Sequence, residues 1–129
     1  MVMALIRKRK EAKMASQTTA TAILKNVRVS PRKLNLIAQL IRGKDVARAS
    51  DLLSNCHKRV SVDAYKTLMS AVANAENNHG LDIDRLIVDE AFVGQSFVMK
   101  RFQARAKGRG AGIKKPFSHL TIIVREKDV

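Results

Sequence analysis

An acid-free cationic segment between two apolar runs constrains the fold of this chain more than any other feature. The first run extends from Leu86 to Met99 and the second from Phe117 to Val124. Both are rich in Val, Ile and Phe, which favour strands. The segment between them contains glycines that disfavour a helix and permit the chain to reverse. The pattern therefore predicts one long β-hairpin over about residues 86–125.

The tip of the predicted hairpin is strongly basic. Residues 100–115 include seven Lys or Arg, and residues 91–125 contain no Asp or Glu. From Gly94 to Lys107, at about 3.3 Å per residue, the hairpin would reach roughly 40 Å. An isolated two-stranded hairpin is marginally stable even without repulsion between like charges. Two interpretations are open: a solvated, disordered loop, or a projection ordered by an anionic partner, which the three Phe residues of the outgoing arm favour.

The charge of the whole chain indicates a polyanionic partner. The net charge is +14, and it is distributed as +10 over residues 1–44, −3 over residues 45–90 and +7 over residues 91–129. Nucleic acid is the first expectation for such a partner, and an acidic membrane surface is the second. Two cationic ends around a mildly acidic middle are typical of a folded platform with two binding arms.

The middle of the chain reads as a strand followed by three helices. Residues 18–29 alternate as a strand, with Ala22 and Leu24 on one of its sides, and Ser30 and Pro31 then have the chemistry of a helix start. Gly43 ends that first helix, and Asp45 is expected to cap a shorter second one. The first helix has a buried face at the spacing i, i+3, i+4, i+7. Its members are Leu34, Ile37, Ala38 and Ile41.

A third, longer helix is predicted over about residues 59–79. Its expected buried stripe is Val62, Tyr65, Leu68, Met69, Val72 and Ala75, while Ala64, Ala71 and Ala73 allow neighbours to approach closely. In the return strand of the hairpin, Ser118, Leu120, Ile122 and Val124 face one side. The predicted fold class is therefore α+β, with three helices packed on a three-stranded antiparallel sheet and a long protruding hairpin.

Catalytic and metal-binding chemistry is not expected. The chain has one cysteine, Cys56, and its three histidines lack ligand spacing. Phosphate-cradling glycine motifs are missing, because no helix follows the glycines at 108–112. The carboxylates near residues 82–90 read as a solvated edge rather than as a general acid and base. The apolar runs are too short for a membrane-spanning helix, so we expect no enzyme, no cofactor, no metal and no membrane span.

Several blocks of the sequence closely resemble one family. In chain order they are Ser30–Lys33, Leu40–Lys44, Ser70–Asn78, Met99–Arg101, Ala104–Arg109 and Ser118–Ile122. These blocks resemble the bacterial-type large ribosomal subunit protein twenty-two family over about residues 18–126. The family usually has Pro where this chain has Ala104, so the backbone of the tip is expected to be less rigid here.

The resemblance implies a structural ribosomal protein that binds large-subunit rRNA and aids assembly of the subunit. The hairpin would thread through the rRNA core, and its tip, residues 105–110, would line the nascent-peptide exit tunnel near the macrolide-binding region. The tip residues are Arg105, Ala106, Lys107, Gly108, Arg109 and Gly110. The expected rRNA-binding residues are Lys25, Arg28, Arg32, Lys33, Arg42, Lys44, Lys100, Arg101, Arg105, Lys107, Arg109, Lys114 and Lys115.

Further expectations concern partners, location and domain limits. Besides rRNA, the implied partners are neighbouring large-subunit proteins and the nascent peptide, without a homo-oligomer. The expected location is the cytoplasmic ribosome of a bacterium, with an organellar ribosome as the alternative. Residues 1–17 read as a basic disordered extension, faintly like a transit peptide, with Met14 as an alternative start. Residues 18–129 are expected to form a single globular domain.

Two other classes of function remain to be distinguished. One is an architectural DNA-binding protein with a basic β-arm, which would need a dimer interface and a bulky wedge at its tip. Ala and Gly occupy the tip instead. The other is a small enzyme that acts on RNA, for which no catalytic group is present. A gel shift on duplex DNA against structured RNA tests the first alternative, and a nuclease assay tests the second.

Overall fold

The computed structural model of the protein describes residues 18–127. The predicted extension, residues 1–17, lies outside this range, as do residues 128 and 129. Within the described range the chain forms three strands and three α-helices. In chain order they are β1 (Thr19–Val27), α1 (Pro31–Ile41), α2 (Val46–Ser54), α3 (Val60–His79), β2 (Leu86–Ala104) and β3 (Gly110–Glu126), with short 3-10 turns at Ile83–Arg85 and Ala106–Gly108.

The three strands form one antiparallel sheet in the order β1-β3-β2. The helices cover one face of this sheet, and the core lies between the two layers. The strand residues that the helices bury include Ala20, Ala22, Val88, Ala91, Ser118, Leu120, Ile122 and Val124. This arrangement confirms the predicted α+β class, and it shows that the side of β3 with Ser118, Leu120, Ile122 and Val124 is the buried one.

The signals at the helix ends act largely as predicted. The Oγ of Ser30 accepts a hydrogen bond from the N–H of Lys33, and Pro31 is the first residue of α1. Gly43, just beyond α1, has the left-handed φ of +73° that favours glycine. Asp45 occupies the N-cap position of α2 as expected, but its side chain makes no capping hydrogen bond.

The buried stripe of α3 differs from the predicted one. Val62, expected inside, is 57% exposed, and Tyr65 and Met69 are half-buried. Leu68, Val72 and Ala75 are buried as predicted, and the buried face also includes Ser61, Ala64, Thr67 and Ala71. Burial of the two hydroxyl residues costs little, because Ser61 Oγ donates to the carbonyl oxygens of Cys56 and Lys58, and Thr67 Oγ1 donates to that of Asp63.

The alternation of β1 is interrupted near its end. Ala20 and Ala22 point into the core and Ile23 points out, but pairing with β3 shifts register between Leu24 and Val27. Asn26 adopts a left-handed φ of 56° at this irregularity. The predicted strand over 18–29 therefore ends at Val27, and Val29 becomes buried although strict alternation placed it with the exposed Ile23.

The long hairpin confirms the predicted protrusion. The three-stranded part of the sheet ends where Val27 pairs with Ser118, whereas the β2–β3 ladder continues to the pair Ala104–Gly110. We call residues 97–117, which extend beyond the third strand, the finger. At its tip the N–H of Arg105 donates to the carbonyl oxygen of Arg109 over 2.8 Å. Lys107 and Gly108 both have positive φ, at 58° and 66°, and thereby reverse the chain.

Candidate nucleic-acid interface

The finger presents nearly all of its charge to solvent. Residues 99–110 are all exposed, and of the seven cations in the finger only Lys115 is partly buried. The backbone ladder between the two arms is the main contact that holds this segment together. Phe102, near the tip, is 76% exposed, and its ring lies over Gly110, where an added Cβ would stand 2.0 Å from the ring. The finger thus offers a cationic surface with an exposed ring near its tip.

Specific contacts fix the root of the finger to the sheet. The rings of Phe97 and Phe117 stack with their centroids 4.5 Å apart. The N–H of Asn26 donates to Nδ1 of His119 over 3.2 Å, and Oγ of Ser96 donates to Oδ1 of Asn26 over 2.7 Å. One residue of each strand therefore meets at this point, so the direction in which the finger leaves the body is set by the fold.

A cationic cleft lies where the finger leaves the body. It has a volume of about 740 Å³ and is formed by the β1–α1 linker, the first turns of α1, the start of α3 and the return arm of the finger. The linker is held in place because the buried Oγ of Ser118 donates to the carbonyl oxygen of Val29 over 2.9 Å. The charged residues that line the cleft are Arg28, Lys33, Lys58, Arg59, Lys114 and Lys115.

The structure divides the predicted site residues into three groups. Arg28, Lys33, Lys114 and Lys115 line the cleft, although the sequence separates the first pair from the second by about eighty residues. Five more follow the finger toward its tip: Lys100, Arg101, Arg105, Lys107 and Arg109. The remaining cations, Lys25, Arg32, Arg42 and Lys44, lie elsewhere on the body.

Lys58 and Arg59 are cleft residues that the sequence interpretation did not include. Arg59 occupies the N-cap position of α3 without a side-chain capping bond, and its Nη2 donates to the carbonyl oxygen of Arg28 over 3.4 Å. A cation at a helix N-terminus opposes the helix dipole. Arg32 and Lys33, in the first turn of α1, oppose the dipole in the same way, so this signal in the sequence could have found Lys58 and Arg59 as well.

Arg42 has a structural contact in addition to its charge. Its Nε and Nη2 both donate to the carbonyl oxygen of Ala91, which ties the C-terminus of α1 to β2. The next residues continue this attachment, since the N–H of Gly43 donates to the carbonyl oxygen of Val88 and the carbonyl oxygen of Lys44 accepts from the N–H of Val88. Part of the exposed edge of β2 is thereby covered.

We expect Arg42→Ala to lower the free energy of unfolding by about 1–2 kcal/mol, because hydrogen bonds from a charged donor to a backbone carbonyl are lost. Arg32→Ala is the matched control, since Arg32 is exposed in the first turn of α1, where its charge opposes the dipole. Urea denaturation of both variants measures the difference. Equal stability of the two variants would show that the Arg42 contact contributes nothing to the fold.

The described residues contain neither a metal site nor a membrane span. No group of three or more His, Cys, Asp or Glu between residues 18 and 127 could hold a metal ion. None of the helices in that range combines the length and apolar character needed to cross a membrane. At the open end of the hairpin, opposite its tip, Arg85 pairs with Glu126 over 3.2 Å and Arg125 pairs with Asp89 over 3.6 Å.

An α+β body with a cationic cleft and an acid-free finger defines a basic structural protein suited to a polyanionic partner. The chain belongs to the ribosomal protein L22p/L17e family, since the sequence model of that family matches residues 22–125. This match confirms the predicted family resemblance. Members of this family are structural ribosomal proteins and not enzymes, which agrees with the expectation of no catalysis.

Individual bacterial relatives agree with this assignment. The chain is 65% identical over 107 residues to the large ribosomal subunit protein uL22 of Maricaulis maris, with 83% of this chain and 85% of the relative covered. It is 57% identical over 119 residues to the protein of the same name from Mesorhizobium japonicum, with 92% of each chain covered. The protein of that name from Methylobacterium nodulans is 60% identical over 110 residues, with 85% and 87% covered.

Proposed function

We propose that this chain is a structural protein of the bacterial large ribosomal subunit that binds large-subunit rRNA and aids assembly of the subunit. The observation that carries the proposal is the finger, which extends beyond the third strand with seven cations and no carboxylate. The names of the relatives, large ribosomal subunit protein uL22, support the assignment to the large subunit. Cytoplasmic ribosomes would be its location, with rRNA and neighbouring ribosomal proteins as partners and no homo-oligomer.

Electrostatics favours rRNA as the surrounding of the finger. Seven like charges on a two-stranded hairpin repel one another in water, and few buried contacts oppose that repulsion. Phosphate groups of surrounding rRNA would neutralise these charges and so remove the repulsion. Counterions are released from the RNA as each cation binds. Arg105 and Arg109 flank the tip turn and are exposed, so their guanidinium planes can stack on unpaired bases.

The tip is proposed to line the nascent-peptide exit tunnel. Residues 105–110 combine small side chains, Ala106, Gly108 and Gly110, with three cations. Such a turn has a small cross-section, which suits a protrusion into a passage that must stay open. The tip would contact the nascent peptide, and this part of the proposal rests on the family resemblance together with the reach of the finger.

Sedimentation of a tagged, full-length chain in bacterial extracts tests the function. We expect the chain to migrate with the large subunit, and we expect the variant Arg32→Ala/Lys33→Ala/Lys44→Ala to incorporate less and to bind rRNA more weakly while its melting temperature is unchanged. The matched control removes three exposed cations outside the proposed interface, Arg48, Lys66 and Lys127, by substitution with Ala.

Either of two results would contradict the proposal. One is a chain that stays free in the gradient or migrates with DNA. The other is equal weakening of rRNA binding by the two triple variants, since that would reduce the interface to net charge alone.

A further inference from the structure

The cleft at the root of the finger has an apolar wall as well as cations. Leu36, in the second turn of α1, is 52% exposed at this wall, and the half-buried Pro116 adds further apolar surface, while Val29 and Ile37 also line the cleft but are buried in the core. Phosphate groups alone gain nothing from such surface. A ligand that carries both an anionic group and a flat apolar body would use the cations and the wall together.

The cations of the cleft lie at positions where their charge does not stabilise the protein's own fold. The N-termini of α1 and α3 both border the cleft, and Lys33 and Arg59 lie at these positive helix ends. Among the described residues, no Asp or Glu lines the cleft and none forms an ion pair with its six cations. The six cations raise the positive potential in a concave site of about 740 Å³. Binding of an anionic ligand there would therefore be favourable.

We propose that the cleft receives one unpaired nucleotide of an RNA strand. Its base would lie against Leu36 and Pro116, while the phosphates on either side would contact Lys58, Arg59 and Lys115. A base inside a duplex cannot enter, because its edges are paired and its faces are stacked. This inference rests on the proposed function, since it names the element of RNA structure that the root of the finger selects.

Two RNA duplexes built on the same labelled strand test the inference on the full-length protein, and the bulged one has one phosphate fewer, so charge alone would not favour it. One carries a single bulged 2-aminopurine nucleotide, and the other holds the same fluorescent base paired with uracil. We expect the bulged RNA to bind about fivefold or more tightly, because burial of about 40 Å² of apolar surface against the wall contributes about that factor. The fluorescence of the bulged base should rise on binding, because it leaves its stacked neighbours and no aromatic ring occurs among the described residues that line the cleft.

Two pairs of variants separate the contribution of the apolar wall to RNA binding from that of the cations. Leu36→Ala should weaken binding of the bulged RNA about fourfold, the factor that burial of one methylene contributes. It should leave the paired RNA unaffected. Ile23→Ala is its control, since Ile23 is equally exposed, at 55%, on the opposite face of the sheet. Lys58→Gln/Arg59→Gln should weaken both RNAs more than Arg48→Gln/Lys66→Gln, which removes two exposed cations outside the cleft.

The outcomes distinguish this inference from the proposed function. Equal affinity for both RNAs, with unchanged fluorescence and equal effects of Leu36→Ala and Ile23→Ala, would overturn the inference while the chain still entered large subunits. Displacement of the bulged RNA by an oligoglutamate peptide at equal charge concentration would also overturn it, because the cleft would then select charge and not a base. Failure of both RNAs to bind would contradict the proposed function as well.

Discussion

Replacement of Lys100–Lys114 by an Asn-Gly turn is expected to leave a soluble, folded domain that binds rRNA with a much weaker salt dependence. The design follows from the pairing of Met99 with Lys115, since a two-residue Asn-Gly turn joins residues that lie directly opposite each other. Most of the deleted residues are exposed and none belongs to the core. The melting temperature should therefore remain close to that of the parent.

The expected change in salt dependence follows from the six cations that the deletion removes. Each phosphate contact contributes about 0.9 to the log–log slope for duplex partners and about 0.7 for single strands, so the slope should fall by up to about 4 to 5. The matched control keeps the length of the finger and replaces the same six cations with Gln. Both variants should show the shallower slope, whereas only the deletion should remove the protrusion proposed for the tunnel wall.

Responses to tunnel-binding drugs or stalling peptides should therefore change in the deletion variant, with bulk peptide synthesis largely retained. Amide exchange in the free parent protein examines the premise. The ladder beyond Val98 lies in solvent with few buried contacts, so its amides should exchange faster than those of the β1–β3 ladder. Slow exchange throughout residues 100–114 without RNA would contradict the argument from charge repulsion.

Local chemistry predicted much of the fold. The cap at Ser30 and Pro31, the left-handed glycine after α1, and the long hairpin all depend on residues close in sequence. The apolar stripe of α3 was less predictable, because its true inner face is formed largely of Ala and of Ser and Thr hydroxyls that bond to nearby carbonyls. A count of large apolar residues finds Leu68 and Val72 but extends the face too far, to the exposed Val62.

The candidate site was predicted in part for a related reason. Its charge is evident from composition, but the cleft depends on tertiary structure that brings Arg28, Lys58 and Lys115 together from three distant segments. Nor does the pattern of β1 reveal the left-handed Asn26, whose backbone and side chain bind His119 and Ser96 and so orient the finger. Such positions follow from packing between strands, which a single-sequence pattern does not specify.

The correction to α3 leads to a prediction in which two apolar residues of one helix behave differently. Leu68→Ala should lower the free energy of unfolding by about 2–5 kcal/mol, because a fully buried leucine leaves a cavity when it is truncated. Val62→Ala should change it by less than about 0.5 kcal/mol, since surface substitutions seldom have larger effects. The sequence pattern alone placed both side chains in the core.

The loss expected for Leu68→Ala is a large part of a total stability of about 5–15 kcal/mol. For a domain of this size it should lower the melting temperature by at least about 8 °C, which calorimetry would measure on both variants. Helix α3 packs against β1 and α2, so the cavity would loosen the layer that supports the sheet and, through β1, the root of the finger. If Leu68→Ala melted like Val62→Ala, the assigned inner face of α3 would be wrong.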